Sequence, residues 1–82
     1  MLDAPSKWCI TLTDGSDVYL WAWAYSGRDD PSADYVFSSL MDVDVDEQAD
    51  YEIDARTPSN PRRVSVVVAR FPRAAVADIN SA

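Results

Sequence analysis

The stretch VYLWAWAY, residues 18–25, decides the fold class. Read as a strand, it alternates without a break. Tyr19, Trp21, Trp23 and Tyr25 fall on one face, and Val18, Leu20, Ala22 and Ala24 on the other. Four of the nine aromatic residues therefore stand in one row. A strand that is apolar on both faces needs cover on both sides. A sandwich, a closed barrel or a partner molecule supplies it.

Residues 7–13 (KWCITLT), just before this stretch, read as a second strand. Trp8, Ile10 and Leu12 share one face; Cys9, Thr11 and Thr13 share the other. Asp14-Gly15-Ser16 is a tight-turn signal, because glycine tolerates the positive φ that a short hairpin needs. Residues 17–26 then return as the aromatic strand. Residues 1–6 read as a flexible leader, and 7–82 as a single small β domain.

Beyond the hairpin, residues 27–32 (GRDDPS) are a loop. Residues 33–41 (ADYVFSSLM) admit a short helix capped by Ser32. The run Tyr35-Val36-Phe37 argues for a strand instead, and the hairpin needs a third neighbour. Residues 42–46 (DVDVD) alternate as a half-exposed edge strand would. Residues 47–50 form a turn or one helical turn. Residues 51–56 are a strand with Tyr51, Ile53 and Ala55 inward, and the two prolines in 57–61 make a loop.

Residues 62–71 (RRVSVVVARF) have the strongest strand propensity, with Val64, Val66 and Val68 on one face and Val67, Ala69 and Phe71 on the other. Being apolar on both faces, this strand and the aromatic one are expected together in the middle of the sheet system. Residues 73–79 read as one helical turn followed by a closing strand. In strand lengths alone, that ending is similar to the small barrels of the SH3-like and Sm-like kind. The expected fold is all-β: a five- to six-stranded antiparallel meander or barrel with room for one short helix. The alternative is α+β, with a helix at 33–41 or 73–79.

Composition narrows the chemistry. An 82-residue chain buries only about 60% of its unfolded surface, so oligomerisation or a rich core has to support it. One cysteine excludes an intrachain disulfide, and the absence of histidine removes the commonest general base and metal ligand. A zinc site would have to be built from Cys9 and carboxylates alone, so neither metal nor cofactor is expected. Cys9 reads as a buried structural thiol. The two glycines are both explained by turns, which leaves no phosphate loop. No enzyme is expected. The sequence shows neither a membrane-spanning run nor a signal peptide, and with a lone thiol this points to the cytoplasm.

Charge is divided along the chain. Residues 1–54 hold thirteen acids and two cations, a net of −11, while residues 55–82 hold five cations and one acid, a net of +4. The total is −7. Arg62, Arg63, Arg70 and Arg73 form a basic cluster that reads as neutralising the molecule's own acidic half rather than as a nucleic-acid footprint. Asp42, Asp44 and Asp46 resemble the start of a calcium loop, but Glu47 stands where its glycine belongs and Ile53 where its last carboxylate belongs.

Two functional expectations remain. The leading one is a non-enzymatic acidic interaction module acting through protein–protein contacts and self-associating. Its interface would be Trp21 and Trp23, flanked by Tyr19 and Tyr25. Large aromatics also supply most of a small domain's burial, and on that ground the same row reads first as core. The alternative is an inhibitor of the kind that phages and mobile elements encode, whose acidic surface (Asp42, Asp44, Asp46, Glu47, Asp50) imitates nucleic acid. Direct nucleic-acid binding and membrane contact are not expected, because no cationic groove or span is present.

Overall fold

The computed structural model describes residues 5–82. Seven strands form two antiparallel sheets, in sequence order β1 (Ser6–Leu12), β2 (Asp17–Ala22), β3 (Ala24–Ser26), β4 (Tyr35–Asp42), β5 (Ile53–Thr57), β6 (Asn60–Phe71) and β7 (Val76–Ser81). The first sheet runs β2-β1-β7 and the second β3-β4-β6-β5. They pack face to face without closing into a barrel. The all-β expectation holds, and the 33–41 segment becomes strand from Tyr35 onward, not helix. Among the described residues the helical segments are two 3-10 turns, Val45–Asp50 and Arg73–Ala75. Of the expected leader, residues 1–4 lie outside the described residues, and β1 already begins at Ser6.

The first hairpin forms as its turn signal requires. The Leu12 N–H donates to the Ser16 carbonyl, the Gly15 N–H donates back to Leu12, and Gly15 takes φ +90°. From there Trp8, Ile10 and Leu12 on β1 pack inward with Val18 and Leu20 on β2. Lys7, Cys9 and Thr11 pair with Trp21, Tyr19 and Asp17 across the outer face.

The aromatic strand departs from its expected course at Trp23. Residues 17–22 belong to the first sheet and residues 24–26 to the second. The chain turns a corner between them, with the Trp23 N–H donating to the Ser38 carbonyl. Ala22, fully buried, has a side chain small enough for the corner, and the Trp8 indole N–H is 3.0 Å from its carbonyl. The corner spends one residue out of register. Inward positions therefore run Val18, Leu20, Ala22 and then Tyr25. Tyr25 enters the core while Tyr19 and Trp21 remain outside, so the single row does not exist.

The core is aromatic nonetheless, built from another set of rings. Phe37, fully buried on β4, is stacked with Tyr25 at 5.1 Å and meets Phe71 and Trp8 edge-on at 5.8 and 6.1 Å. Trp8 also meets Tyr25 at 5.2 Å. Such edge and offset contacts each add about 0.5–1.5 kcal/mol beyond area burial. A second cluster, Val43, Val64 and Val66 with Met41 and Ile53, extends the core along β4, β6 and β5.

A second slip corrects β6. A bulge opposite Phe37 and Ser38 moves its inward side from Val64 and Val66 to Ala69 and Phe71, leaving Val68 exposed. The two doubly apolar strands are not neighbours: β6 is interior to its sheet and β2 is an edge. Residues 42–46 are not a strand either. β4 ends at Asp42, Val43 is buried, and Val45 is exposed at the start of the 3-10 turn. The turn is held by Gln48, the one buried polar side chain among the described residues. Its amide nitrogen donates to the carbonyls of Val43 and Pro61, and its oxygen accepts from Arg56 Nε. Pro61 lies within β6, at its start. Of the 51–56 strand only Ile53 packs inward; Tyr51 and Ala55 are exposed, with a register slip between Ile53 and Ala55.

Candidate functional site

The outer face of the first sheet carries the feature that the core does not absorb. Tyr19 and Trp21 are 58% and 61% exposed on β2, and Trp23, at the corner, is 43% exposed. β2 pairs on one side only, with β1. The hairpin register tells which backbone groups face the open side. Counted from the Leu12–Ser16 bond, Val18, Leu20 and Ala22 share hydrogen-bonded pairs with β1. The N–H and C=O groups of Asp17, Tyr19 and Trp21 therefore point to the open edge. The two exposed aromatics thus own both the apolar surface and the unpaired backbone.

Their surroundings are almost neutral. The Lys7 ammonium lies 5.3 Å from the Tyr19 ring centroid, and the Thr11 hydroxyl donates to the Asp17 carboxylate at 2.9 Å. Cys9 is half-buried and faces Tyr19 across the strand pair. Contact with the Cys9 thiol, and next the Asp17 charge, push the Tyr19 phenol above its ordinary range. Cys9 thus lies on the outer face and not in the core. Of the expected interface residues, Tyr19, Trp21 and Trp23 are brought to the surface and Tyr25 is not.

The acidic candidates lie on the other sheet and are partly occupied. Arg62 pairs with Asp44 at 3.0 Å, Arg63 with Asp42 at 3.7 Å, and Arg70 with Glu52. Exposed pairs of this kind contribute about 0–1 kcal/mol each, so they cancel charge more than they add stability. Asp46, Glu47 and Asp50 are exposed on the 3-10 turn. Among the described residues no three metal-ligating side chains converge and no pocket is found.

Arg73 belongs to a different structure from the rest of the basic cluster. Its guanidinium donates to the carbonyls of Ala33, Gly27 and Asp30 and to the Tyr35 hydroxyl, and it lies 4.5 Å from the Tyr35 ring centroid. It gathers the loop between β3 and β4. Neither this clamp nor the Gln48 tie has a signature in the sequence: charge alone groups Arg73 with its neighbours, and only its position after Pro72, at the end of the long strand, sets it apart.

Compared with known proteins, the chain matches no family model, no curated protein and no solved structure. No helix among the described residues is long and apolar enough to cross a membrane.

Proposed function

We propose that this protein is a non-enzymatic interaction module that works through protein–protein contacts at strand β2 and associates with itself. The observation that carries the reading is the coincidence on β2 of two exposed aromatics with an open line of backbone donors and acceptors. Tyr and Trp dominate the energetics of protein interfaces, and an open edge accepts a further strand. Trp21 is the anchor, Tyr19 its partner on the strand, and Trp23 flanks them. The small core adds motive: only six apolar residues are buried among those described, and association would remove more apolar surface from water.

The acidic-mimic reading is weaker on the same surface. Asp42, Asp44 and Glu52 already face arginines of their own chain, which lowers the potential a nucleic-acid site would meet. The deciding experiment is absolute mass by light scattering across a concentration series, at low and high salt. A monomer at every concentration would sink the self-association reading. Association that survives salt supports an apolar, backbone-paired interface; association lost in salt moves the contact to the charged groups.

A further inference from the structure

We infer that two copies of this chain join β2 to β2 as antiparallel neighbours about a two-fold axis at Tyr19, merging two three-stranded sheets into one of six strands. This rests on the self-association reading above and specifies its geometry.

The four sheet edges differ in how they are guarded. β7 carries Asp78 and has a bulge against β1. β5 carries Asp54 and Arg56 and two register slips. β3 is three residues long. These are the ordinary devices that discourage strand pairing. β2 is the least guarded: six residues in regular register, a single charge at the first position, and no proline or bulge. Its open backbone groups belong to Asp17, Tyr19 and Trp21, an odd-numbered set centred on Tyr19.

A second copy fits this edge better than a partner of unrelated sequence, on charge and on symmetry. An antiparallel pair centred on Tyr19 sets Tyr19 opposite its own counterpart and Trp21 opposite Asp17 of the other copy. The two Asp17 carboxylates therefore do not meet. The outer face of this sheet contributes Lys7 against Asp17 and Asp78, whereas the acidic run starts at Asp42 on the other sheet. Asp42 lies four residues beyond Ser38, which is bonded to the corner. At strand rise that is about 13 Å along β4, beyond a Debye length of ~8 Å at physiological salt. A six-residue edge is small beside the ~800 Å² per partner of a standard interface, so the dimer is weak and forms in the micromolar range or above.

Sedimentation equilibrium on the full chain tests both levels. The wild type is expected to move from 9.1 kDa towards twice that mass as concentration rises, with little change in 0.5 M salt. Trp21→Asp places a carboxylate opposite Asp17 of the other copy and should weaken dimerisation at least about tenfold. Adding Asp17→Lys to that variant should recover part of the loss, the share due to repulsion, because each Lys then faces an Asp. Trp21 is exposed, so circular dichroism should show both variants folded. A wild type that stays monomeric overturns the self-association reading and this geometry together. A dimer that Trp21→Asp leaves intact, or a Trp21→Asp variant that Asp17→Lys strengthens not at all, overturns the geometry alone. A disulfide scan supplies an independent readout. Tyr19→Cys in a Cys9→Ser background should cross-link on oxidation into a dimer, and failure to do so while the wild type dimerises places the axis elsewhere.

Discussion

Removing the Arg73 side chain should cost this small domain a large part of its stability. The guanidinium makes four hydrogen bonds, to Ala33, Tyr35, Gly27 and Asp30, and bridges 38 to 46 residues of chain. A hydrogen bond to a charged group contributes about 1.5–3 kcal/mol net when well buried. Here the acceptors lie near the surface and water can replace the arginine, so we take about a quarter of that for each. With about 0.5–1 kcal/mol for the contact with the Tyr35 ring, Arg73→Ala should lose about 2–4 kcal/mol. At roughly 0.05–0.15 kcal/mol per residue the whole chain holds about 4–12 kcal/mol. The melting temperature should fall by about 10–25 °C, measured by circular dichroism, with urea unfolding as the second probe. Arg73→Lys keeps the charge but has no planar fork, and should recover less than half of the loss. A loss under about 1 kcal/mol for Arg73→Ala, or full recovery by lysine, would refute the argument that the fork organises residues 27–34.

Three further outcomes follow from geometry. Gly27→Ala should destabilise far more than Gly15→Ala: both have positive φ, at +100° and +90°, but a Cβ on Gly27 collides with the Asp34 carbonyl oxygen while Gly15 has open space. Strain alone predicts about 1–2 kcal/mol at Gly15, and comparing the two urea midpoints isolates the clash at Gly27. Gln48→Ala should cost about 2–3 kcal/mol in urea unfolding, since two carbonyls lose their shared donor. The acid limb should depend on Asp14 and Asp30. The Ser16 hydroxyl and N–H hold the first carboxyl low; the Ser32 hydroxyl and N–H, with Arg73 assisting, hold the second low. A lowered folded value means stability is present above the unfolded value near 4 and is lost as pH falls through the folded ones. Midpoints measured from pH 6 to 2 should fall less steeply below about pH 4 in the Asp14→Asn, Asp30→Asn double variant.

What could be read from the sequence was whatever had a local cause. Alternation in residues 7–13 and a glycine at the turn are enough for the first hairpin, and β-branched and aromatic residues at 35–37 decide strand over helix. The phase of a strand is different. Where both faces are apolar, as in residues 18–25 and 64–69, nothing local marks the place at which the alternation slips. The corner at Trp23 and the bulge in β6 are set by which sheet each segment joins, and that is a long-range matter. The candidate interface was partly legible for the same reason. Tyr19 and Trp21 precede the slip and Tyr25 follows it, so one row is divided between surface and core. Arg73 and Gln48 bond partners five to 46 residues away, with no spacing to betray them.

The strand order of the first sheet bears on how the chain emerges during synthesis. β1, the central strand of that sheet, pairs with β2 at once but with β7 only after some seventy more residues are made, Trp8 meeting Ser81. Until then the hairpin has two open sides rather than one, and its inner face, with Trp8, Ile10 and Leu20, lacks the second sheet that will cover it. A partly folded chain that holds only the hairpin therefore shows unpaired backbone on both flanks. Misassembly competes most strongly with the native order in that interval, before β7 closes the far side of β1.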